Sequence, residues 1–236
     1  MPLVSEIAPG ARSGAPAALL VPDASGLLPA GVLVRTRAVG DALDALPEPE
    51  RALVARAVAK RRHEFATGRV LARELLGELG VRDFALLADA DRVPLWPDGI
   101  LGSISHARGL CVAAATQRGA LVGVGIDVED ASAVRPELWR RVLRPDEERW
   151  LRAQPGASQL GLAAVFFSAK EAAYKAQFPL TRTRLGFQDV ALELDLARGA
   201  FRAHVPGFSR ALDGAYALRA DYALTGLAIA AQDAPA

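Results

Sequence analysis

The sequence predicts an α+β fold made of two similar lobes packed together. Three observations carry this reading. A segment with helical spacing is followed by strand-like runs, and the same order then recurs. A seam near residues 117–122 separates the two rounds and divides the chain into lobes at 1–118 and 119–236. The last 50 or so residues change to apolar–polar alternation, which suggests an antiparallel meander (roughly period 2).

The bulk numbers suit such a fold. The chain has 236 residues, enough for a sizeable core. It is 51% hydrophobic and 23% charged, ordinary for a soluble globular protein. A net charge of +1 offers no global field for nucleic acid or a membrane surface. No apolar stretch is long enough to span a bilayer, and the first residues lack the basic start and apolar core of a signal peptide. The lone cysteine, Cys111, excludes an internal disulfide and suits a reducing, cytoplasmic setting. It lies in the apolar run GLCVAAA and reads as a buried small hydrophobe rather than a nucleophile.

The elements follow in order. Residues 1–46 are rich in Ala, Gly and Pro and read as loops with one or two strands, GVLVR among them. Residues 46–80 are the strongest helical segment, with Pro and Glu at the start, Gly80 as a stop, and a division expected around Gly68. ILGSISHARGLCVAAAT reads as two strands around a polar turn at Ser105–Gly109, and ALVGVGIDVED as another strand. ELWRRVLRPDEERWLRA is helical with a Pro break at 145, and LGLAAVFFSAKEAAYKAQF is a helix. DVALELDL, RGAFRAHV, YALRADYAL and TGLAIAAQ supply the meander.

Charge is placed unevenly on this frame. Residues i and i+2 of a strand face one side, so Asp127 and Glu129 point together while Val128 turns to the core. Two readings are open: a solvated strand end with a turn at Glu129–Asp130, or a site for a hard divalent cation such as Mg²⁺. In FSAKEAAYK, Glu171 and Lys175 are i,i+4 neighbours on a helix with little polar face. They are either a surface ion pair or a partly buried pair that brings a third carboxylate to Asp127 and Glu129. Lys occurs only at 60, 170 and 175, so two of three fall in this stretch of an Arg-rich chain. In RRHEFATGR, Arg62 and Arg69 share a helix face with Arg61 on its flank; this is a solvated basic face or an anion clamp. SISHARG adds Ser105 and His106.

RRHEFATGR, WPDG, SISH, GIDVE and FSAKEAAYK, in that order, resemble the 4′-phosphopantetheinyl transferase superfamily in its longer Sfp-like or EntD-like form. The continuation QFPLTRTRLGFQD looks like the actinobacterial carrier-protein activating members. The resemblance spans about residues 58–190. It implies two α/β lobes related by a pseudo-twofold axis, with the active site in the cleft between them and a monomeric chain. It implies transfer of phosphopantetheine from coenzyme A to a serine of an acyl or peptidyl carrier protein of fatty-acid, polyketide or non-ribosomal peptide (including siderophore) synthesis.

The resemblance also distributes roles. Asp127, Glu129 and Glu171 hold Mg²⁺, with Mn²⁺ as an alternative, against the pyrophosphate. Glu171 acts as base for the carrier serine, and Lys175 neutralises charge on the pyrophosphate. Arg61 and Arg69 match the positions that grip the adenosine end of coenzyme A, and Ser105 and His106 the turn at its 3′-phosphate. Lys170 matches the Lys of the K-E pair, a phosphate contact or a structural cation. Arg92 stands where relatives often carry Lys near the WPDG loop and is assigned to coenzyme A. Two rivals stay open: another Mg²⁺-dependent phosphate-ester hydrolase, and a catalytically inactive coenzyme A-binding module. The chain lacks the G-x-x-x-x-G-K-[ST] phosphate loop of common NTPases.

Overall fold

Alternation along two central strands organises the whole molecule. A computed structural model describes residues 21–219 and 221–235. Its elements run β1 (Leu33–Ala38), α1 (Glu48–Val54), α2 (Ala59–Glu78), β2 (Ile100–Ala107), β3 (Leu110–Gln117) and β4 (Leu121–Asp130). Then follow α3 (Pro136–Val142), α4 (Pro145–Arg152), α5 (Gly156–Thr181), β5 (Ala191–Asp195), β6 (Ala200–His204), β7 (Leu212–Arg219) and β8 (Tyr222–Ala230). This is the α+β architecture that the sequence predicts. Residues 1–20 of the expected N-terminal loops and strands lie outside the described residues.

The first sheet is antiparallel in the order β1-β3-β2, and the second is antiparallel in the order β4-β8-β7-β6-β5. On β3, Cys111, Ala113 and Ala115 face Leu71 and Leu75 of α2. The intervening Leu110, Val112 and Ala114 face Val124, Ile126 and Val128 of β4 in a shared core between the sheets. A larger core packs α3, α4 and α5 against the second sheet around Trp139, Phe166 and Phe201. Strands β2 and β4 run side by side, tied by the Ser103 hydroxyl, which accepts from Ile126 N at 3.1 Å and approaches Ile126 O at 3.4 Å.

Four boundaries differ from the sequence reading. The helical segment divides at residues 55–58, not at Gly68. Gly68 instead lets α2 approach β2, since a Cβ there would meet Ile104 Cγ2 at 2.9 Å. The polar turn shrinks to Arg108–Gly109, both with positive φ (44° and 80°), so Ser105 and His106 belong to strand β2. YALRADYAL holds the end of one strand and the start of the next: β7 stops at Arg219 and β8 begins at Tyr222. Helix α5 runs longer than expected, to Thr181, with Pro179 inside its last turn.

Candidate active site

Strand β4 presents Gly123, Gly125, Asp127 and Glu129 at i, i+2 spacing, opposite in sense to the buried Val124, Ile126 and Val128. Helix α5 lies on that glycine face and runs antiparallel to the strand. A Cβ at Gly123 would meet Ala176 O at 2.6 Å, and one at Gly125 would overlap Ala172 O. Further along the same row, Ser168 Oγ reaches Asp127. Four helical residues rise about 6 Å and two strand residues about 6.7 Å, so the two rows stay nearly in step. This match sets the FSAKEAAYK helix over the GIDVE carboxylates.

Asp127 is buried, with 1% exposure. Its Oδ1 accepts from Ser105 Oγ at 2.7 Å and Lys175 Nζ at 2.5 Å, and its Oδ2 from Ser168 Oγ at 2.7 Å. Lys175 therefore pairs with Asp127, not with Glu171 as the i,i+4 spacing suggests. Ser105 is 7% exposed, and its hydroxyl points at Asp127. Ser168 and Thr225 complete the support, 2.9 Å apart, and sequence reasoning passed over both.

Burial, then the charge of Asp127, pushes the Glu129 carboxyl up to about 8; Glu171 and Asp130 add to the rise and Lys175 opposes it. Burial also raises Glu171, with Lys175 opposing and Asp127 reinforcing. Glu129 and Glu171 thus stand within electrostatic reach of Asp127 and of each other. Among the described residues, no three His, Cys, Asp or Glu side chains converge into a ready ligand shell. What fits a divalent cation is the charge. Three carboxylates stand near one ammonium, and after burial the neighbouring carboxylates add to the rise at Glu129. Oxygen donors alone suit a hard ion.

Helix α2 and strand β2 contribute cations and an imidazole. Arg61 Nη1 donates to His106 Nε2 at 2.5 Å, and Nδ1 lies 3.5 Å from Glu64 Oε2. Accepting at Nε2 makes the imidazole neutral, with its proton on Nδ1 toward Glu64. Burial lowers its pKa; Glu64 and Asp127 raise it, while Arg61 and Lys175 lower it. Glu64 is 8% exposed and is a third residue that the sequence reading left out.

Arg69 is 6% exposed and rests 4.5 Å over the Phe65 ring. Its Nε is buried without a partner, as is that of Arg62. Burial brings the Arg69 guanidinium down to about 10, with Glu50 opposing and Arg61 and Arg73 reinforcing. A buried fork with an unused donor is a ready anion grip.

Two expectations fare differently. Lys170 is 2% exposed. Its three ammonium donors go to Glu147 Oε2 at 2.6 Å, Val142 O at 2.9 Å and Phe187 O at 2.9 Å. It is a structural cation joining α5 to α3, α4 and the segment after α5, because its position on α5 faces inward. Arg92 is exposed, at positive φ (66°), in a turn closed by its own N–H to Asp89 O at 2.9 Å. Its side chain makes no hydrogen bond or ion pair among the described residues. The same turn reaches the end of α5 and the segment after it through Asp89–Arg182 at 2.6 Å and Asp91–Arg184 at 2.5 Å. Cys111 is buried as expected, and burial pushes its thiol up to about 12.

Comparison with known proteins identifies the family. Residues 49–116 match the model of the 4′-phosphopantetheinyl transferase N-terminal domain, and residues 123–225 that of the 4′-phosphopantetheinyl transferase superfamily. The 4′-phosphopantetheinyl transferase Svp of Streptomyces mobaraensis is 38% identical over 213 residues, covering 83% of each chain. The 4′-phosphopantetheinyl transferase Npt of Nocardia iowensis is 35% identical over 175 residues, covering 74% of this chain and 78% of its own. Enterobactin synthase component D of Escherichia coli (strain K12) is 33% identical over 148 residues, covering 62% and 68%. No helix among the described residues is long and apolar enough to cross a membrane. A chain so similar to these enzymes along most of its length belongs to the 4′-phosphopantetheinyl transferase superfamily and transfers phosphopantetheine from coenzyme A to carrier proteins.

Proposed function

We propose that the transfer takes place between lobes 1–118 and 119–236, with Asp127, Glu129 and Glu171 as the ligands of a Mg²⁺ ion. One observation carries this: the Ser105 hydroxyl of β2 donates to Asp127 Oδ1 of β4 at 2.7 Å, which supports a site between the two lobes. Bound there, Mg²⁺ supplies Lewis-acid polarisation of the pyrophosphate oxygens. Arg61, Arg69 and His106 bind the phosphates at the nucleotide end of coenzyme A; the unused Nε of Arg69 supports its part. Ser105 acts through Asp127, and Arg92 is at most a surface contact.

Lys175 holds positive charge at the pyrophosphate. Glu171 accepts the proton of the carrier serine hydroxyl. The serine oxygen forms a bond to the pantetheine phosphorus, and the bond from that phosphorus to the bridging oxygen breaks. The released electron pair leaves with 3′,5′-ADP. The similarity to Enterobactin synthase component D supports a carrier protein of siderophore synthesis as a substrate. We place the enzyme in the cytoplasm as a monomer, since both lobes lie in one chain.

The test is intact-mass measurement of apo acyl and peptidyl carrier proteins incubated with the protein, coenzyme A and Mg²⁺. A gain of one phosphopantetheine, abolished by EDTA and by Asp127→Asn, is expected. Hydrolysed coenzyme A without carrier modification would favour the hydrolase, and binding without turnover the inactive module. Undiminished transfer by Asp127→Asn would overturn the assignment of the ligands.

A further inference from the structure

Asp127 is held from behind by a pair of hydroxyls that touch no part of the reaction. Ser168 of α5 and Thr225 of β8 are both 0% exposed. Thr225 is the cross-strand partner of Asp127 in the β4–β8 ladder. Ser168 Oγ sits between them, 2.7 Å from Asp127 Oδ2 and 2.9 Å from Thr225 Oγ1. A hydroxyl has one proton, and that of Ser168 goes to the carboxylate. Thr225 must then donate to Ser168, giving a relay from Thr225 to Ser168 to Asp127.

The neighbourhood makes this relay specific. Along α5, Ala169, Ala172, Ala173 and Ala176 are all fully buried, so Ser168 is a polar exception in an alanine surface. A buried hydroxyl costs free energy unless it is bonded, and this one is bonded at both ends. Oδ1 is meanwhile met by Ser105 and Lys175. The carboxylate is therefore oriented by its two edges: Oδ2 is tied to the interior, and Oδ1 lies on the Lys175 side.

We propose that Ser168, backed by Thr225, is a positioning residue that fixes the orientation of the Asp127 carboxylate for a divalent cation. This rests on the reading of Asp127 as a cation ligand. Outer-shell partners of metal ligands are worth about 10–100-fold in metal affinity or activity.

The experiment titrates Mn²⁺ in the presence of coenzyme A, following the free-ion EPR signal, for the wild type, Ser168→Ala, Thr225→Val, Thr225→Ser and Asp127→Asn. Ser168→Ala is expected to weaken Mn²⁺ binding about tenfold or more. Thr225→Val should weaken it to a smaller extent, and Thr225→Ser should restore it. The Mn²⁺ concentration for half-maximal transfer should move in parallel, while KM for coenzyme A at saturating Mn²⁺ stays within about twofold. A purely structural role would lower the melting temperature and leave Mn²⁺ affinity alone. Wild-type Mn²⁺ affinity in the folded hydroxyl-deletion variants, with binding lost in Asp127→Asn, overturns this proposal only. Wild-type Mn²⁺ affinity in Asp127→Asn overturns the ligand reading itself. If Ser168→Ala does not fold, the Thr225 pair decides by the same criterion.

Discussion

Gly125 of β4 lies directly beneath the carbonyl oxygen of Ala172 in α5, so closely that a Cβ at 125 would overlap it. This contact brings the helix carrying Glu171 and Lys175 down onto the strand carrying Asp127 and Glu129. Gly125→Ala should therefore destabilise the protein by about 1–3 kcal/mol, the usual cost of overpacking a tight core. Transfer activity should fall further than stability, because Asp127 and Lys175 move apart. Thermal unfolding and turnover of the folded fraction check both. Full activity with an unchanged melting temperature would show that the helix can shift freely.

The buried pair Lys170–Glu147, at 2.6 Å, makes a second prediction. Lys170→Met strands Glu147, which also accepts from Arg144 N and Leu192 N at 2.8 Å each. Removing one partner of a buried pair costs about 3–5 kcal/mol. The folded fraction should nevertheless keep its KM for coenzyme A. A large rise in KM with stability intact would return Lys170 to the substrate site.

The carboxylates set a pH dependence. Glu129 titrates near 8 in the fold against an ordinary 4.5. Between those values the unfolded chain has lost a proton that the folded protein keeps, so stability falls as pH rises. Glu171, raised as well, adds to the same trend. In EDTA, the melting temperature should decline from about pH 5 to about pH 8 and then level, and Glu129→Gln should flatten the decline. A melting temperature that climbs across that window contradicts the burial of these groups.

Arg69, buried with an unpartnered Nε, should act on binding more than on chemistry. Arg69→Ala should raise KM for coenzyme A about tenfold, the worth of one charge-assisted hydrogen bond, and change kcat by less than about threefold. Steady-state kinetics at saturating carrier protein separate the two. A fall in kcat at constant KM would place Arg69 at the reacting phosphorus.

The Asp89–Arg182 and Asp91–Arg184 pairs join the turn before β2 to the end of α5 at the surface, with Arg182 and Arg184 side chains 49% and 77% exposed. Exposed pairs contribute about 0.2–1 kcal/mol each and are screened by salt. Asp89→Asn with Asp91→Asn should lower the melting temperature by a few degrees in dilute buffer and by nothing measurable at about 1 M salt. A salt-independent loss would point to a packing role for the turn.

Much of the site was legible because strand and helix periods are local. GIDVE declares that Asp127 and Glu129 share a face, and the glycines before them sit on that same face. FSAKEAAYK declares an apolar helix with a carboxylate and two ammonium groups. The order of these blocks was enough to place the chain in its family. Gly68 was misread because a glycine inside a helix looks alike whether it ends the helix or admits a neighbour. Only Ile104, 36 positions away, distinguishes the two.

The sequence by itself determined the fold class, the carboxylate and arginine inventory, and the family, since each depends on residue type and spacing along one element. The tertiary structure alone decided which charges meet. Lys175 turns to Asp127 across 48 positions and Lys170 to Glu147 across 23, while Ser168 meets Thr225 across 57. A helix's own period says which residues share a face, but not which strand that face will cover or how the helix is rotated on it. Those depend on close packing, here on where two glycines let α5 approach β4.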